Sequence, residues 1–406
     1  MSAPASEARP QAVLSVNAGS SSLKFAVYPV QGTDVGPAGL SGIAEGLEPG
    51  GQPVIKIQVP GQDKTTTPLQ VTAGETSFDV ALRSVISAVE TEGGARLCAV
   101  AHRVVHGGSR LAESVRIDDE VLAFLETLIP LAPLHQPANV TGVKAFRRAC
   151  PDIPQVACFD TAFHTTAPDL AKRFALPDSY FEQGVRRYGF HGLSYRYVSQ
   201  RLAQATPRSQ GRMLIAHLGN GASLCAVLGG RSHGTTMGMS AVDGLMMGTR
   251  SGALDPGVLF HLMRQGMDLA ALEKLLYKQS GLLGVSGISA DMRTLRASTE
   301  PGAALAIELF TYRVVRETGA LVACLGGLDV LAFTGGIGEH DNRLRADVGA
   351  ALAFLGVRVD AAANSAADGS CAVPIHAADS TVEVWVVPTD EGLVAARDAL
   401  ALVQTR

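Results

Sequence analysis

Several short segments of this chain combine residue types able to handle an anion. Asn17-Ala18-Gly19-Ser20-Ser21-Ser22-Leu23-Lys24 sets an amide, three hydroxyls and a lysine in one small-residue stretch. Such groups offer many hydrogen-bond donors to phosphate oxygens. The GxxxxGK[ST] pattern is absent and no helix is expected to follow, so the stretch is not a P-loop. Taken alone it reads equally well as a polar hairpin turn. Arg103 lies in Ala101-His102-Arg103-Val104-Val105-His106-Gly107-Gly108. Its planar fork can take a carboxylate or phosphate through paired bonds, although a structural ion pair would use the same fork.

Three further segments place a histidine or aspartate beside a strand end or turn: Leu134-His135-Gln136-Pro137, Phe159-Asp160-Thr161-Ala162-Phe163-His164, and Tyr188-Gly189-Phe190-His191-Gly192. One such histidine is ordinarily a packed residue; several among proline and glycine turns suggest a site. Arg250 sits between small residues in Gly248-Thr249-Arg250-Ser251-Gly252, after Leu245-Met246-Met247, which also reads as core filling. The glycine turns His217–Gly221 and Gly335–His340 can present successive backbone N–H groups to an anion.

The elements that must carry these groups follow from periodicity. Val13–Asn17 and Leu23–Val30 read as two strands of a hairpin around the Gly/Ser turn. Gln52–Val59 alternates as a strand, Ser77–Glu90 has helical period, and Leu97–Val105 is an apolar strand ending at His106. Asp118–Ile129 reads as a helix that stops at Pro130, and Gln155–Phe159 as a buried strand. About half a chain after the first hairpin the pattern recurs: Met213–Leu218, the turn GNGAS, then Leu224–Leu228. Ser22 and Ser223 occupy similar places in the two turns, which suggests duplicated cores. Val258–Gln279 and Ala303–Leu325 read as long helices, Val330–Thr334 as a buried strand entering a glycine turn, and Leu393–Leu402 as a short amphipathic helix.

Composition limits what these groups can serve. At 406 residues the chain is long enough for two or three domains. Its 47% hydrophobic content excludes a disordered chain. The net charge of −4 argues against nucleic acid as a partner. A few local arginines can still draw an anionic small substrate. No apolar run reaches the ~20 residues that span a membrane. The opening MSAPASEARPQ has no apolar core of a secretory signal and reads as a frayed tail. The six cysteines form no CxxC pair and read as reduced core residues of a cytoplasmic protein.

The ordered set is far more specific than its parts. NAGSSSLK, HRVVHGG, FDTAFH, RRYGFHG, HLGNG, GLMMGTRSG, SGISADMR and FTGGIGE follow one another from residue 17 to residue 339. This resembles the acetokinase family of carboxylate kinases across essentially the whole chain after the tail. The resemblance implies an α/β fold of two duplicated actin-like ATPase (ribonuclease H-like) domains with a cleft between them. It implies an N-terminal lobe of residues 1–160 with a returning helix in 389–406, and a nucleotide-binding lobe of 161–388. The implied activity is reversible transfer of the ATP γ-phosphoryl group to acetate, in a cytoplasmic homodimer that needs Mg2+ (or Mn2+). Propionate or butyrate kinase, and a non-catalytic nucleotide-binding module, are the alternatives.

Residue by residue, the resemblance implies that Arg103 and Arg250 hold the carboxylate and the transferring phosphoryl group. His191 would stabilise charge on the equatorial oxygens, His135 would assist, and Asp160 would orient its neighbours. Val105, Leu134, Phe190 and position 241 would line the acyl pocket. Asn17 and Glu391 would sit near the metal. Ser20, Ser22 and Lys24 would meet the phosphate end. His217, Leu218, Gly219, Asn220 and Gly221, with Asp291, Met292 and Arg293, and Gly336, Ile337, Gly338, Glu339 and His340, would form the nucleotide pocket. This chain departs from the family pattern at Gln136 (usually Asn), Ala241 (usually Pro), His340 (usually Asn) and Asp390 (usually Asn). Asp390 would add a carboxylate beside the metal, and Ala241 would widen the acyl pocket toward propionate.

Overall fold

The computed structural model describes residues 9–405. Residues 1–8 of the segment read as a frayed tail lie outside the described residues, whereas Gln11 already begins a strand. The chain divides into two compact units, one running to Ala162 and resuming at Asp390, the other Phe163–Thr389.

The first unit is built on a mixed sheet. Its strands are β1 (Gln11–Ala18), β2 (Ser22–Gln31), β3 (Asp34–Val35), β4 (Leu40–Glu45), β5 (Val54–Gln58), β6 (Thr65–Pro68), β7 (Arg96–Val104), β8 (Val115–Arg116) and β9 (Gln155–Phe159). Their order is β6-β5-β4-β2-β1-β7-β9-β8, with β3 on β2. β1 and β2 form the expected antiparallel hairpin, with Asn17 opposite Lys24, and β7 and β9 lie parallel to it. The central strands β1, β7 and β9 are apolar and largely buried because both faces are covered. Leu14, Val16, Phe25, Val85 and Phe146 pack in one layer, and Val104, Leu125, Val140 and Phe159 in another. Burying each such side chain contributes about 1.5–3 kcal/mol.

The second unit repeats the core. Its strands are β10 (Arg212–Leu218), β11 (Ala222–Leu228), β12 (Arg231–Thr235), β13 (Val330–Thr334), β14 (Val373–Pro374) and β15 (Glu383–Val386), ordered β12-β11-β10-β13-β15-β14. β10 pairs antiparallel with β11 and parallel with β13, which is parallel to β15. The series β4-β2-β1-β7-β9 and β12-β11-β10-β13-β15 therefore share order and sense, strand for strand. The repeated hairpin in the sequence is the visible part of this duplication.

Three local features differ from the sequence reading. The stretch read as one helix over 258–279 is two helices, Pro256–Arg264 and Leu269–Lys278. Gly266, at φ 95°, ends the first turn of chain reversal, and the Asp268 carboxylate caps the second helix by accepting from Ala271 N–H at 2.8 Å. The GGIGEH stretch is a short helix, Gly335–His340, rather than a turn. Cys324 and Cys371 are exposed, so not all the cysteines are core residues.

Candidate active site

In the first unit the site forms where parallel strands end. β7 and β9 run side by side, so Arg103 and Asp160 emerge together. The Arg103 guanidinium donates from Nε to Asp160 Oδ1 at 2.9 Å and from Nη2 to Oδ2 at 2.8 Å. Its Nη1 pairs with Glu391, the first residue of the helix Glu391–Gln404. Burial works against the Arg103 charge, but the Asp160 and Glu391 carboxylates outweigh it and raise its pKa above the ordinary arginine value.

A buried asparagine ties these strand ends together. Asn139 Oδ1 accepts from Val105 N–H at 2.9 Å, and its Nδ2 donates to the Ala18 carbonyl at 2.8 Å. It lies on the helix Gln136–Ala149, which approaches closely because a Cβ at Gly142 would stand 2.7 Å from Ala18 Cβ. Asn17, Lys24, Tyr28, Arg103 and Glu391 line a cavity of about 210 Å³. Asp390 does not add a carboxylate to it freely. Its Oδ1 caps the final helix by accepting from Leu393 N–H at 2.9 Å, and also accepts from the Tyr28 hydroxyl at 2.6 Å. Asp390 thereby sets where Glu391 begins.

In the second unit the repeated hairpin ends at His217-Leu218-Gly219-Asn220-Gly221. On one side, Gly219 and Asn220 line a cavity of about 980 Å³ with Asp291, Met292, Arg293, Gly336, Ile337 and His340. Arg296, Asp341, Asn342 and Arg343 also line it, with Arg296 paired to Asp341 at 3.0 Å. The hydrogen-bonded Arg293 side chain holds the Asp291 carboxyl down at about 2. On the other side, a Cβ at Gly221 would lie 3.2 Å from His191 Nε2 and 3.7 Å from Arg250 Nη2. His191 Nδ1 is 2.9 Å from Ser223 Oγ, and its ring stacks on His217 at 4.2 Å between centroids. His217 Nδ1 in turn lies 2.8 Å from Ser194 Oγ.

Arg250 is held by one bond, from Nη1 to the Ala241 carbonyl at 2.8 Å. Burial lowers its pKa, only partly offset by Tyr277. No carboxylate pairs with Arg250 among the described residues. A half-buried guanidinium without a counter-ion is poised for an anion.

Comparison with known proteins identifies the family. The acetokinase family matches residues 12–397. The acetate kinase of Rhodopseudomonas palustris is 50% identical over 391 residues, covering 95% of this chain and 96% of that protein. The chain belongs to the acetokinase family. The crystal structure of Porphyromonas gingivalis acetate kinase, 39% identical, superposes with a TM-score of 0.86 over 97% of this chain and 99% of that one. A propionate kinase from Francisella tularensis, 34% identical, superposes with a TM-score of 0.88 over 97% of this chain and 100% of that one. The doubled sheet order is accordingly that of duplicated actin-like ATPase domains.

Against the acetokinase pattern, the predicted residues fall into distinct groups. Lys24 lines the Asn17–Glu391 cavity, while Ser20 is exposed and Ser22 opens β2 with its carbonyl accepting from Gly19 N–H at 2.8 Å. His217 stacks on His191, and Leu218 is fully buried beneath the turn. Gly338 and Glu339 serve the short helix itself: Glu339 Oε1 accepts from Gly335 N–H at 2.8 Å and Thr389 N–H at 3.1 Å. His135 is the N-cap residue of the helix Gln136–Ala149. Of the acyl-pocket residues, Val105 is half-buried and Leu134 is 41% exposed in the first unit, and Phe190 is buried in the second.

The residues missed from sequence act at long range. Asn139, Tyr28, Ser194 and Ser223 hold the predicted ones in place. For Ser223 a signal existed, since it stands where Ser22 stands in the first hairpin. A divalent metal fits the donors present. Mg2+ favours oxygen ligands, taking one or two carboxylates together with phosphates and water. Asn17 and Glu391 both line the cavity and offer an amide oxygen and a carboxylate, the latter paired with Arg103. Among the described residues no group of three or more His, Cys, Asp or Glu is placed to hold a metal ion.

Proposed function

We propose that this chain catalyses reversible transfer of the ATP γ-phosphoryl group to acetate, giving acetyl phosphate and ADP. The observation that carries the reading is the Gly219–Gly221 turn. A nucleotide-sized cavity opens at Gly219 and Asn220, and the uncompensated Arg250 and the His191 imidazole flank Gly221. ATP bound in that cavity would bring its terminal phosphate to these two groups. Phosphoryl transfer depends on positioning and charge stabilisation rather than on a strong base. Acetate, with a pKa near ~4, is already an anion at neutral pH. Arg250 and His191 stabilise the transferring group, and Arg103, oriented by Asp160, binds the carboxylate. His135 assists, and Val105, Leu134 and Phe190 contact the acyl group. Ser20, Ser22 and Lys24 serve the phosphate end. Mg2+, held by Asn17 and Glu391, would neutralise phosphate charge when bound.

Ala241 favours a broader acid range as a second reading. Its carbonyl anchors Arg250, and its side chain is smaller than the proline of the family pattern. One methylene is worth about 1–3 kcal/mol in such a pocket, so propionate would shift in rank rather than displace acetate. Trapping acyl phosphates with hydroxylamine across acetate, propionate and butyrate tests both readings. Acetate turnover supports the first, a strong loss at propionate overturns the second, and no acyl phosphate from any acid overturns both.

A cytoplasmic homodimer completes the proposal. No described helix is long and apolar enough to cross a membrane. Leu305, Leu309 and Tyr312 are exposed along one face of the helix Pro301–Leu325, an apolar stripe that a second copy would cover. Sedimentation analysis of Leu309→Asp should show monomer where the unaltered protein shows dimer.

A further inference from the structure

Among the described residues, His191 has a backbone conformation that no other residue with a Cβ shares. At φ 59° and ψ 22° it is left-handed, and among the described residues it is the one non-glycine with positive φ. Residues with a Cβ keep that conformation only where their surroundings impose it.

Downstream, the chain enters the helix Gly192–Ala205, whose first turn closes with Tyr195 N–H donating to the His191 carbonyl at 3.0 Å. Upstream, the buried His164 holds the chain. Its Nε2 lies 2.9 Å from the Phe190 carbonyl oxygen, and its Nδ1 lies 2.9 Å from Ser232 Oγ. A carbonyl can only accept, so Nε2 carries the proton and Nδ1 accepts from the Ser232 hydroxyl. Burial lowers the His164 pKa to about 4, which keeps the ring neutral and this tautomer in place. The same ring fills the space behind Gly189, where a Cβ would stand 2.6 Å from His164 Cδ2 and 2.6 Å from Thr235 Cγ2.

We propose that His164 is a positioning residue that holds the Phe190 carbonyl and so imposes the left-handed turn that delivers the His191 ring to Ser223 and His217. The Phe190 carbonyl is held by His164 on one side of residue 191 and the His191 carbonyl is held by Tyr195 N–H on the other, and between these two bonds residue 191 is left-handed. The effect on turnover rests on the reading of His191 as a group acting on the phosphoryl oxygens; the backbone effect does not.

Two substitutions separate donor from bulk. His164→Leu removes the Nε2 donor, and His164→Gln returns an amide N–H near the same point. His164→Leu should lower kcat about 10²-fold, as a small misplacement of a reacting group does, with KM for ATP within about threefold. His164→Gln should recover most of the loss. In crystal structures, residue 191 should relax to negative φ in the Leu variant and stay left-handed in the Gln variant. Residue 191 left-handed in the Leu variant, or a Gln variant as slow as Leu, overturns the proposal. Ser232→Ala is the milder control: without its hydroxyl partner the ring samples the other tautomer. It should then lower kcat severalfold at unchanged KM, and unchanged kcat counts against the proposal. If the unaltered protein phosphorylates no acid, the functional reading falls, and the φ angle at 191 still decides this one.

Discussion

Arg103 and Asp160 meet edge to edge, through parallel bonds of 2.9 Å and 2.8 Å, on the ends of adjacent parallel strands. Arg250, on the turn after Met247, has no such counter-ion. One guanidinium is thus fixed and neutralised by the protein, and the other carries charge that the protein leaves uncompensated. In the proposed reaction that asymmetry makes Arg103 the oriented clamp and Arg250 the anion-stabilising group.

Removing Asp160 tests the clamp. The Asp160 side chain is 4% exposed and that of Arg103 22%. Asp160→Ala leaves Arg103 with Glu391 alone, and breaking a buried pair destabilises by about 3–5 kcal/mol. Asp160→Asn keeps the shape but loses the charge, so its melting temperature should fall less while its KM for acetate rises. Equal stability of the Ala variant and the unaltered protein would contradict the clamp.

Arg250 should not be replaceable by lysine. Its Nη1 is anchored on Ala241 and its Nη2 flanks Gly221 beside His191 Nε2, a division of labour that needs a fork. Loss of one preorganised donor lowers kcat about 10²–10³-fold, and Arg250→Ala should lose at least that much. Arg250→Lys should stay close to the Ala variant. Steady-state turnover near that of the unaltered protein in the Lys variant would show that charge alone suffices.

Neighbouring acidic residues should differ in metal dependence. Asp390 spends Oδ1 on the helix cap and on Tyr28, whereas Glu391 lines the cavity. Glu391→Gln should raise the apparent KM for Mg2+ about 10–100-fold, the range seen when metal-site groups are changed. Asp390→Asn retains an oxygen for the cap and should leave that KM nearly unchanged. Titrating Mg2+ against turnover distinguishes them, and equal shifts would place Asp390 at the metal.

Acid should destabilise the protein before its carboxylates titrate. Burial brings the pKa of His102, His106 and His164 down to about 4 in the folded chain. Unfolded imidazoles titrate near ~6.5, so unfolding takes up protons between those values. The stability these residues support is complete above about pH 6.5 and is lost as pH falls toward 4, by up to about 1.4 kcal/mol per pH unit for each ring. Urea unfolding followed down from neutral pH should show the midpoint falling across that window. A flat midpoint would mean that these rings are already charged when folded.

The sequence made the hairpins, the main strands and the first helix legible because each has a local period. Periodicity predicts a helix over Ser77–Glu90 and the helix spans Ser77–Thr91, with the Thr76 hydroxyl accepting from Asp79 N–H at 3.1 Å. The break at Gly266 was hidden because the apolar spacing continues across it. The helix Gly335–His340 was hidden for the opposite reason: glycines favour no helix, and this one is held by Glu339 and by Arg345, whose Nη1 donates to the Gly338 carbonyl at 3.0 Å. Motif order singles out Arg103, His191 and Arg250 as candidates. It could not show that Asp160 binds Arg103, that Asp390 is a cap, or that His164 grips Phe190, since each is a contact between segments distant in sequence.

The most direct measurement is a phosphorus NMR spectrum of ATP, Mg2+ and acetate incubated with the unaltered protein and with Arg250→Ala. An acetyl phosphate resonance growing with ADP in the first, and absent over the same time in the second, is the expected result. ADP formed together with inorganic phosphate alone, or acetyl phosphate formed equally by both proteins, would contradict a phosphoryl transfer that depends on the uncompensated guanidinium.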